Sequence, residues 1–580
     1  MQTRNRLVAA VVAAVALTGA AHAQNVVAQW IQLGPGSSAA ALHSGSYGDQ
    51  PLSTTPTILA RAIINGGSCP SLTVDGTLPI AMTQRFAASQ LTSLTNSRPV
   101  VINGVTTKYT NGAAGYPAYF VSASAASPAN FPDGTAEATT GWAECEAIVP
   151  AGHTTATIGG VNLKLPIANP QRILVIGDTG CRMSGSAQQN CHDPVGFPFA
   201  ALAAYEAQFK PDLIVQVGDY FYRDTNCVPT STAGASNGGP AITAGVPFVA
   251  GCNVSTNPAF ETWGDTFDSW NADFFYPGNT LLPTAPWVMA RGNHESCGRG
   301  ARGWFALLDP HPFNVNQVNC QGGAGAAVAS TGPVYTGDFT PTYIVPMGNA
   351  NLLMHDSSYA LDGCVDTNMA ANYDYDMTAV LNTLPALSNN IYVTHKPTFG
   401  LVAASAATAP CNVAGGPFNG GDFTEQFAYG GNATNSNSAF TGGVPAKIGM
   451  FLSGHIHQFE YVNFNDYVHY APQLIVGTSG DNIDPTANPA GDSAYLTQSP
   501  ALLYAYQSQS FDVHNTASAT FAPVTTTVHA AYSQAEFGFA LLQTTATGYI
   551  ANVYNIYAVK AGRCTITLSN PGPRNIACWD

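Results

Sequence analysis

Between positions 172 and 457 this chain repeats one local pattern five times: an apolar run of strand length breaks off into a short polar cluster. The clusters are Gly177-Asp178-Thr179-Gly180, Gly218-Asp219-Tyr220-Phe221-Tyr222, Gly292-Asn293-His294-Glu295, Val393-Thr394-His395 and Gly454-His455-Ile456-His457. The runs feeding them include Arg172 to Gly177, Asp212 to Gly218 and Trp287 to Ala290, continuous enough to be strands covered on both faces. An amphipathic stretch near Phe199 to Phe209 separates the first two, so the segment reads as strand, helix, strand and the fold class as α/β. Asn351 to Met354, Asn390 to Thr394, Ile448 to Leu452 and Leu474 to Val476 are further buried strands, and a helix fits Asp374 to Leu387. In open α/β sheets the loops at the carboxyl ends of the strands diverge and leave a crevice, so five clusters at five strand ends can meet at one point. Asp, Asn, Tyr and His suit borderline-to-hard metals, and the absence of thiolates from the set argues against a soft-metal site. In Gly454 to His457 the alternation of an extended chain sends both imidazoles the same way.

At 580 residues the chain exceeds one ordinary core, so two domains are expected. Before the repeated pattern, short β-rich runs (Pro56 to Ile64, Leu72 to Ile80, Thr155 to Leu165) alternate with Gly, Pro and Asn clusters, as in a small sandwich. We therefore expect a β-rich, immunoglobulin-like N-terminal domain over 24–168 and a catalytic domain over 169–580. Arg4 and Arg6, the apolar run Leu7 to Leu17 and the small residues of Ala21-His22-Ala23 read as an export signal over 1–23, cleaved after Ala23. That run is shorter than the roughly 20 apolar residues that span a bilayer, and no later segment is longer, so a secreted protein, periplasmic or extracellular, is expected.

Twelve cysteines in an exported chain argue for disulfides. Near neighbours are Cys181 with Cys191, Cys227 with Cys252, Cys297 with Cys320 and Cys564 with Cys578, and Cys69 with Cys145 could cross-link the sandwich. With a net charge of -15, six lysines and no basic run, a nucleic acid is not expected as a standing partner. The stretches 228–250 and 400–446, rich in Gly, Ala, Asn, Thr and Ser, read as long surface loops, either decoration or a substrate rim.

The ordered blocks G-D-x-G, G-D-x-x-Y, G-N-H-E, V-x-x-H and G-H-x-H resemble the metallophosphoesterase (calcineurin-like) superfamily, and the tyrosine at 222 resembles its purple acid phosphatase branch. The resemblance covers Arg172 to His457. It implies a four-layer α/β/β/α catalytic domain and two metal ions, an Fe(III) held by Asp178, Tyr222 and His457 and a divalent Fe, Zn or Mn held by Asn293, His395 and His455, with Asp219 bridging. It implies hydrolysis of small phosphomonoesters by direct attack of a metal-bound hydroxide, with His294 over the open face as the proton donor to the leaving alkoxide.

The charges of such a centre leave it slightly positive, an anion-attracting spot on an acidic protein. A metal pair acidifies bound water and clamps both oxygens of an in-line displacement, so activity on the acid side of neutrality is expected. Arg182, Arg223, Arg291 and Lys396 stand beside the clusters as candidate phosphate contacts, or as salt-bridge partners of carboxylates such as Asp224 or Glu295. His294 itself could be a structural histidine paired with Glu295. His192, His311 and His355 fit no ligand position. Gly234-Ala235-Ser236-Asn237-Gly238 matches a serine-hydrolase pattern but lacks the strand before and the helix after it. Three alternatives remain: a phosphodiesterase using the same metals, a pair of divalent ions in place of Fe(III), and a surface binding protein with a vestigial site.

Overall fold

The structure is a computed structural model. It describes residues 26–36, 53–87, 99–102, 105–108, 142–184, 187–191, 194–223, 264–296, 299–313, 340–358, 360, 377, 380–385, 389–400, 444–484, 510–512, 525–568 and 573–579. The export signal, 228–250, most of 400–446, His192 and Cys227, Cys252, Cys297, Cys320, Cys364 and Cys411 lie outside these described residues.

Two large sheets lie face to face. The first has eleven strands in the order Asn575–Trp579, Lys560–Thr567, Gly548–Asn555, Gly538–Thr544, Arg172–Ile176, Leu213–Gln216, Trp287–Met289, Val26–Gly36, Ser53–Asn65, Trp142–Ile148 and Thr83–Ala87. The second has eight, with Asn351–Met354, Asn390–Val393, Ile448–Ser453 and Gln473–Val476 as consecutive parallel neighbours in its middle.

Alternation along each strand builds the layers. Ile173 and Val175 point into the core between the sheets and meet Val393, Leu452 and Val476 there, while Leu174 and Ile176 point outward under the helix Phe199–Gln208. On the far side Tyr392 and Phe451 are covered by Met377, Val380, Leu381 and Leu384, from the stretch where a helix was expected. Both faces of the central strands are thus dry, which is why they read as unbroken apolar runs. The expected α/β/β/α layering is the one observed.

The β-rich N-terminal region is also present, with two refinements. Leu72 to Ile80 is a hairpin, Ser71–Val74 with Leu78–Ala81, turning through Asp75 and Gly76 at φ of 48° and 70°. Thr155 to Leu165 likewise turns through Gly159-Gly160, both at positive φ, a two-residue loop whose signal is plain in the sequence. These hairpins form a four-stranded sheet packed on Ala60, Ala62, Ile64 and Cys145 of the larger one, with the Cys69–Cys145 disulfide tying the layers together.

The larger layer of this sandwich does not stop at the N-terminal region: Val26–Gly36 pairs in parallel with Trp287–Met289, so the sheet runs on into the catalytic strands. At the opposite edge, a C-terminal meander closed by Cys564–Cys578 adds to Arg172–Ile176 through Gly538–Thr544. The Cys181–Cys191 disulfide closes the loop after the first cluster.

Candidate metal centre

All five polar clusters leave the carboxyl ends of parallel strands from the two facing sheets, and their side chains converge. Asp178, Asp219, Tyr222, Asn293, His395 and His457 are buried and His455 is half-buried. Three of the seven sit in left-handed backbone: Asp178 at φ 56°, Asp219 at 58° and His455 at 70°. Such a conformation costs on the order of 1–3 kcal/mol per residue and persists only where the surroundings enforce it. The turns also demand glycine for room, because a Cβ on Gly292 would land on the Asp219 carboxylate and one on Gly454 on that of Asp178.

The seven fall into two groups sharing one carboxylate. In the first, the Tyr222 hydroxyl lies 2.8 Å from Asp178 Oδ1, 2.8 Å from Asp219 Oδ2 and 3.1 Å from His457 Nε2. In the second, His395 Nε2 lies 3.0 Å from Asp219 Oδ2 and 2.9 Å from Asn293 Oδ1. The donor atoms of Asp219, His395 and His455 lie within 4.8 Å of one another.

Proton counting tests whether these residues suit a cation. His395 Nδ1 faces the carbonyl of Val217 at 2.9 Å and His457 Nδ1 that of Asn482 at 2.8 Å. A carbonyl only accepts, so both Nδ1 atoms carry a proton, and in the neutral form of each ring Nε2 presents a lone pair. Tyr222 then has one proton for three acceptors, and His395 Nε2, Asn293 Oδ1 and Asp219 Oδ2 face one another with none. Buried lone pairs arranged this way call for positive charge at their centre, and the N/O donor set suits borderline-to-hard metals.

The electrostatics agree. Burial, then the charges of Asp178 and Asp219, hold the Tyr222 phenol well above its ordinary value. Against burial, which lowers it, Asp484, Asp481 and Asp178 push His457 up to about 10. Without metal the site gathers protons; a bound cation displaces them.

The surrounding carboxylates hold the frame. Glu295 Oε1 accepts the backbone N–H groups of Tyr220 and Phe221, and Oε2 those of Asp219 and Gly292. The alternative of Glu295 as side-chain partner of His294 is thus not the arrangement seen. Asp273 accepts from Tyr222 N, and Asp481 lies 3.4 Å from His457 Nδ1. Asp481 follows the strand Gln473–Val476 in Gly477-Thr478-Ser479-Gly480-Asp481, a sixth strand end with a polar cluster that the sequence reading passed over.

Tyr220, the neighbour of Tyr222, points away, donating to Ala290 O and packing against Phe274 and Trp304. His294 stands at the centre's edge, its ring 3.8 Å from that of Tyr222, its Nε2 4.0 Å from Asp219 Oδ2, and its backbone N–H donating to Asp219 Oδ1. The four candidate phosphate contacts all have protein partners: Arg182 pairs with Asp481, Arg223 with Asp273 and Arg291 with Asp356, and Lys396 donates to Ala360 O. His311 pairs with Asp309 and His355 with Thr342.

Residues 171–397 match the model of the calcineurin-like phosphoesterase family. The chain carries a calcineurin-like phosphoesterase domain. It is, accordingly, a metal-dependent hydrolase acting on phosphate esters. The match ends before His455 and His457, which the fold of this phosphoesterase returns to the same crevice. Two solved structures are similar to the chain. One is purple acid phosphatase PPD1 from yellow lupin (Lupinus luteus) seeds, with TM-score 0.42 and 12% identity, covering 87% of this chain and 71% of that one. The other, PhoD, has TM-score 0.43 and 10% identity, covering 97% and 93%. Both TM-scores are below 0.5, so the assignment rests on the family match and on the residues themselves. No curated protein sequence matches the chain.

Proposed function

We propose that this phosphoesterase is an exported, dinuclear phosphatase of the purple acid phosphatase kind that hydrolyses small phosphomonoesters. The observation that carries the reading is the Tyr222 hydroxyl, buried among Asp178, Asp219 and His457, a pairing of phenol, carboxylates and imidazole suited to a hard trivalent ion. Asp178, Tyr222 and His457 would hold Fe(III), Asn293, His395 and His455 a divalent Fe, Zn or Mn, and Asp219 both. When bound, the pair supplies an acidified water as nucleophile and charge stabilisation for the phosphoryl group. Export is supported by the sequence over 1–23 and by the three disulfides among the described residues.

In this reading phosphate is held by the metals rather than by Arg182, Arg223, Arg291 or Lys396, whose charged heads are engaged inside the protein. His294, packed against the Tyr222 ring, donates the proton to the leaving oxygen. His294→Ala is expected to lower kcat on an alkyl phosphate by roughly 10²–10⁴-fold while leaving metal content intact. Steady-state kinetics with elemental analysis of the same sample check this; an unchanged kcat removes His294 from the chemistry.

The identity of the centre is tested by purifying the mature protein, counting its metals and recording its visible spectrum. A tyrosinate-to-iron band that Tyr222→Phe abolishes is expected; a colourless, iron-free, active enzyme would reject iron. Faster hydrolysis of a bis-aryl than of an aryl phosphate would turn the assignment to a diesterase, and an acid-side optimum is expected, contradicted by a rate that rises only above about pH 8.

A further inference from the structure

The segment after the His294 turn is helical, Ala301–Gly303 continuing into the wider winding of Trp304–Leu308. The last carbonyls of a helix have no partner within it. Here five consecutive carbonyls, those of Phe305, Ala306, Leu307, Leu308 and Asp309, accept hydrogen bonds from three side chains of the N-terminal region. Arg85 donates Nη2 to Phe305 O at 3.1 Å and to Asp309 O at 3.0 Å, and Nε to Ala306 O at 3.2 Å. Arg61 donates Nη1 to Leu307 O at 3.2 Å and Nη2 to Asp309 O at 2.8 Å, and Gln32 donates to Leu308 O. Arg61 and Arg85 are almost wholly buried, and Glu144 and Glu146 set their forks from behind. Two cations at a helix C-terminus also complement its dipole.

The other end of this helix reaches the catalytic turn by two routes. Trp304 N donates to Gly300 O, and Gly300 N donates to His294 O at 2.8 Å. The Phe305 ring lies 4.4 Å beneath the Arg291 guanidinium, whose Nε donates to Glu295 O at 2.9 Å. Both backbone carbonyls of His294-Glu295 are therefore fastened to the helix that the N-terminal arginines hold.

We infer that Arg61 and Arg85 are positioning residues for His294, so that the N-terminal β-region is a working part of the active site and not an appendage. The inference rests on the proposed proton-donor role of His294 and adds to it where the histidine's placement comes from. A proton donor matters most when the leaving group is a poor one, so misplacing it slows alkyl phosphates and spares aryl phosphates with acidic phenols.

The test compares Arg85→Met, Arg85→Lys and His294→Ala with the full-length wild type on an alkyl and a nitrophenyl phosphate, with metal content and thermal midpoint measured on each. Arg85→Met is expected to lose roughly tenfold in kcat on the alkyl ester, within the ~10²-fold that a 1 Å misplacement costs, with less than about threefold on the nitrophenyl ester. KM and metal content should hold, and Arg85→Lys should recover part of the loss. If Arg85→Met does not fold, Arg85→Met/Glu144→Gln neutralises the buried carboxyl that has lost one of its two cations and carries the same expectation. Equal loss on both esters, loss of metal, or no loss overturns the inference. A His294→Ala enzyme with no leaving-group bias would instead sink the proton-donor reading itself, and the two failures are told apart because His294→Ala is measured beside the arginine variants.

Discussion

Asp219→Ala is expected to lower kcat/KM by at least about 10³-fold, since removing even an outer partner of a metal ligand costs 10–100-fold. Asp219 is the one side chain common to both groups: Oδ2 lies 2.8 Å from the Tyr222 hydroxyl and 3.0 Å from His395 Nε2, and Oδ1 accepts the backbone N–H of His294. Its loss should drop metal content below two per chain as well as slow the reaction. Asp219→Asn separates charge from backbone, because asparagine tolerates the left-handed φ of 58° far better than alanine does. Metal stoichiometry should fall in both variants, while thermal stability of the metal-free protein should fall more in the alanine variant. Wild-type activity in Asp219→Ala would end the two-metal proposal.

Glu295→Gln should cost roughly 2–6 kcal/mol of stability, although it changes one atom of a side chain that touches no candidate ligand atom. The carboxylate takes four backbone N–H groups, two on each oxygen. Glutamine would turn an NH₂ toward one of those pairs, leaving two buried donors unsatisfied and facing another donor. Burial and the charge of Asp219 push this carboxyl up to about 8, yet every contact it makes is with a donor, which a carboxylic proton could not face. The four N–H groups favour its ionised form. Denaturant melts of the metal-free protein measure the loss, and a competition titration should show metal affinity down 10–100-fold, as outer-shell changes typically produce. A melt within 0.5 kcal/mol of wild type, the scatter of neutral surface changes, would refute the role.

The candidate ligands were legible because the sequence announces each twice, first as a dry strand and then as a polar stop, and parallel topology puts such stops on one edge. Tyr222 needed the fold as well: only coordinates separate it from Tyr220, which turns into the aromatic core. The charged residues beside the ligands were legible as types but not as roles. Arg182, Arg223 and Arg291 find carboxylates at positions 481, 273 and 356, far along the chain, where spacing gives no hint. Pairing across long separations also hid the continuity of Val26–Gly36 with Trp287–Met289, since a strand's composition does not name its neighbour. The Asp75-Gly76 and Gly159-Gly160 turns, by contrast, were there to be read.

That continuity bears on how this enzyme can be divided. The stretch matching the family model, 171–397, contains the Arg172–Ile176 strand but neither Gly538–Thr544, which pairs with its outer side, nor Val26–Gly36, which flanks Trp287–Met289. Cut out alone, it would expose raw, apolar borders on both sides, an invitation to self-association. Loops can be grafted onto this scaffold more readily than its catalytic segment can be moved, because the strands that cover both borders of that segment come from the two ends of the described chain.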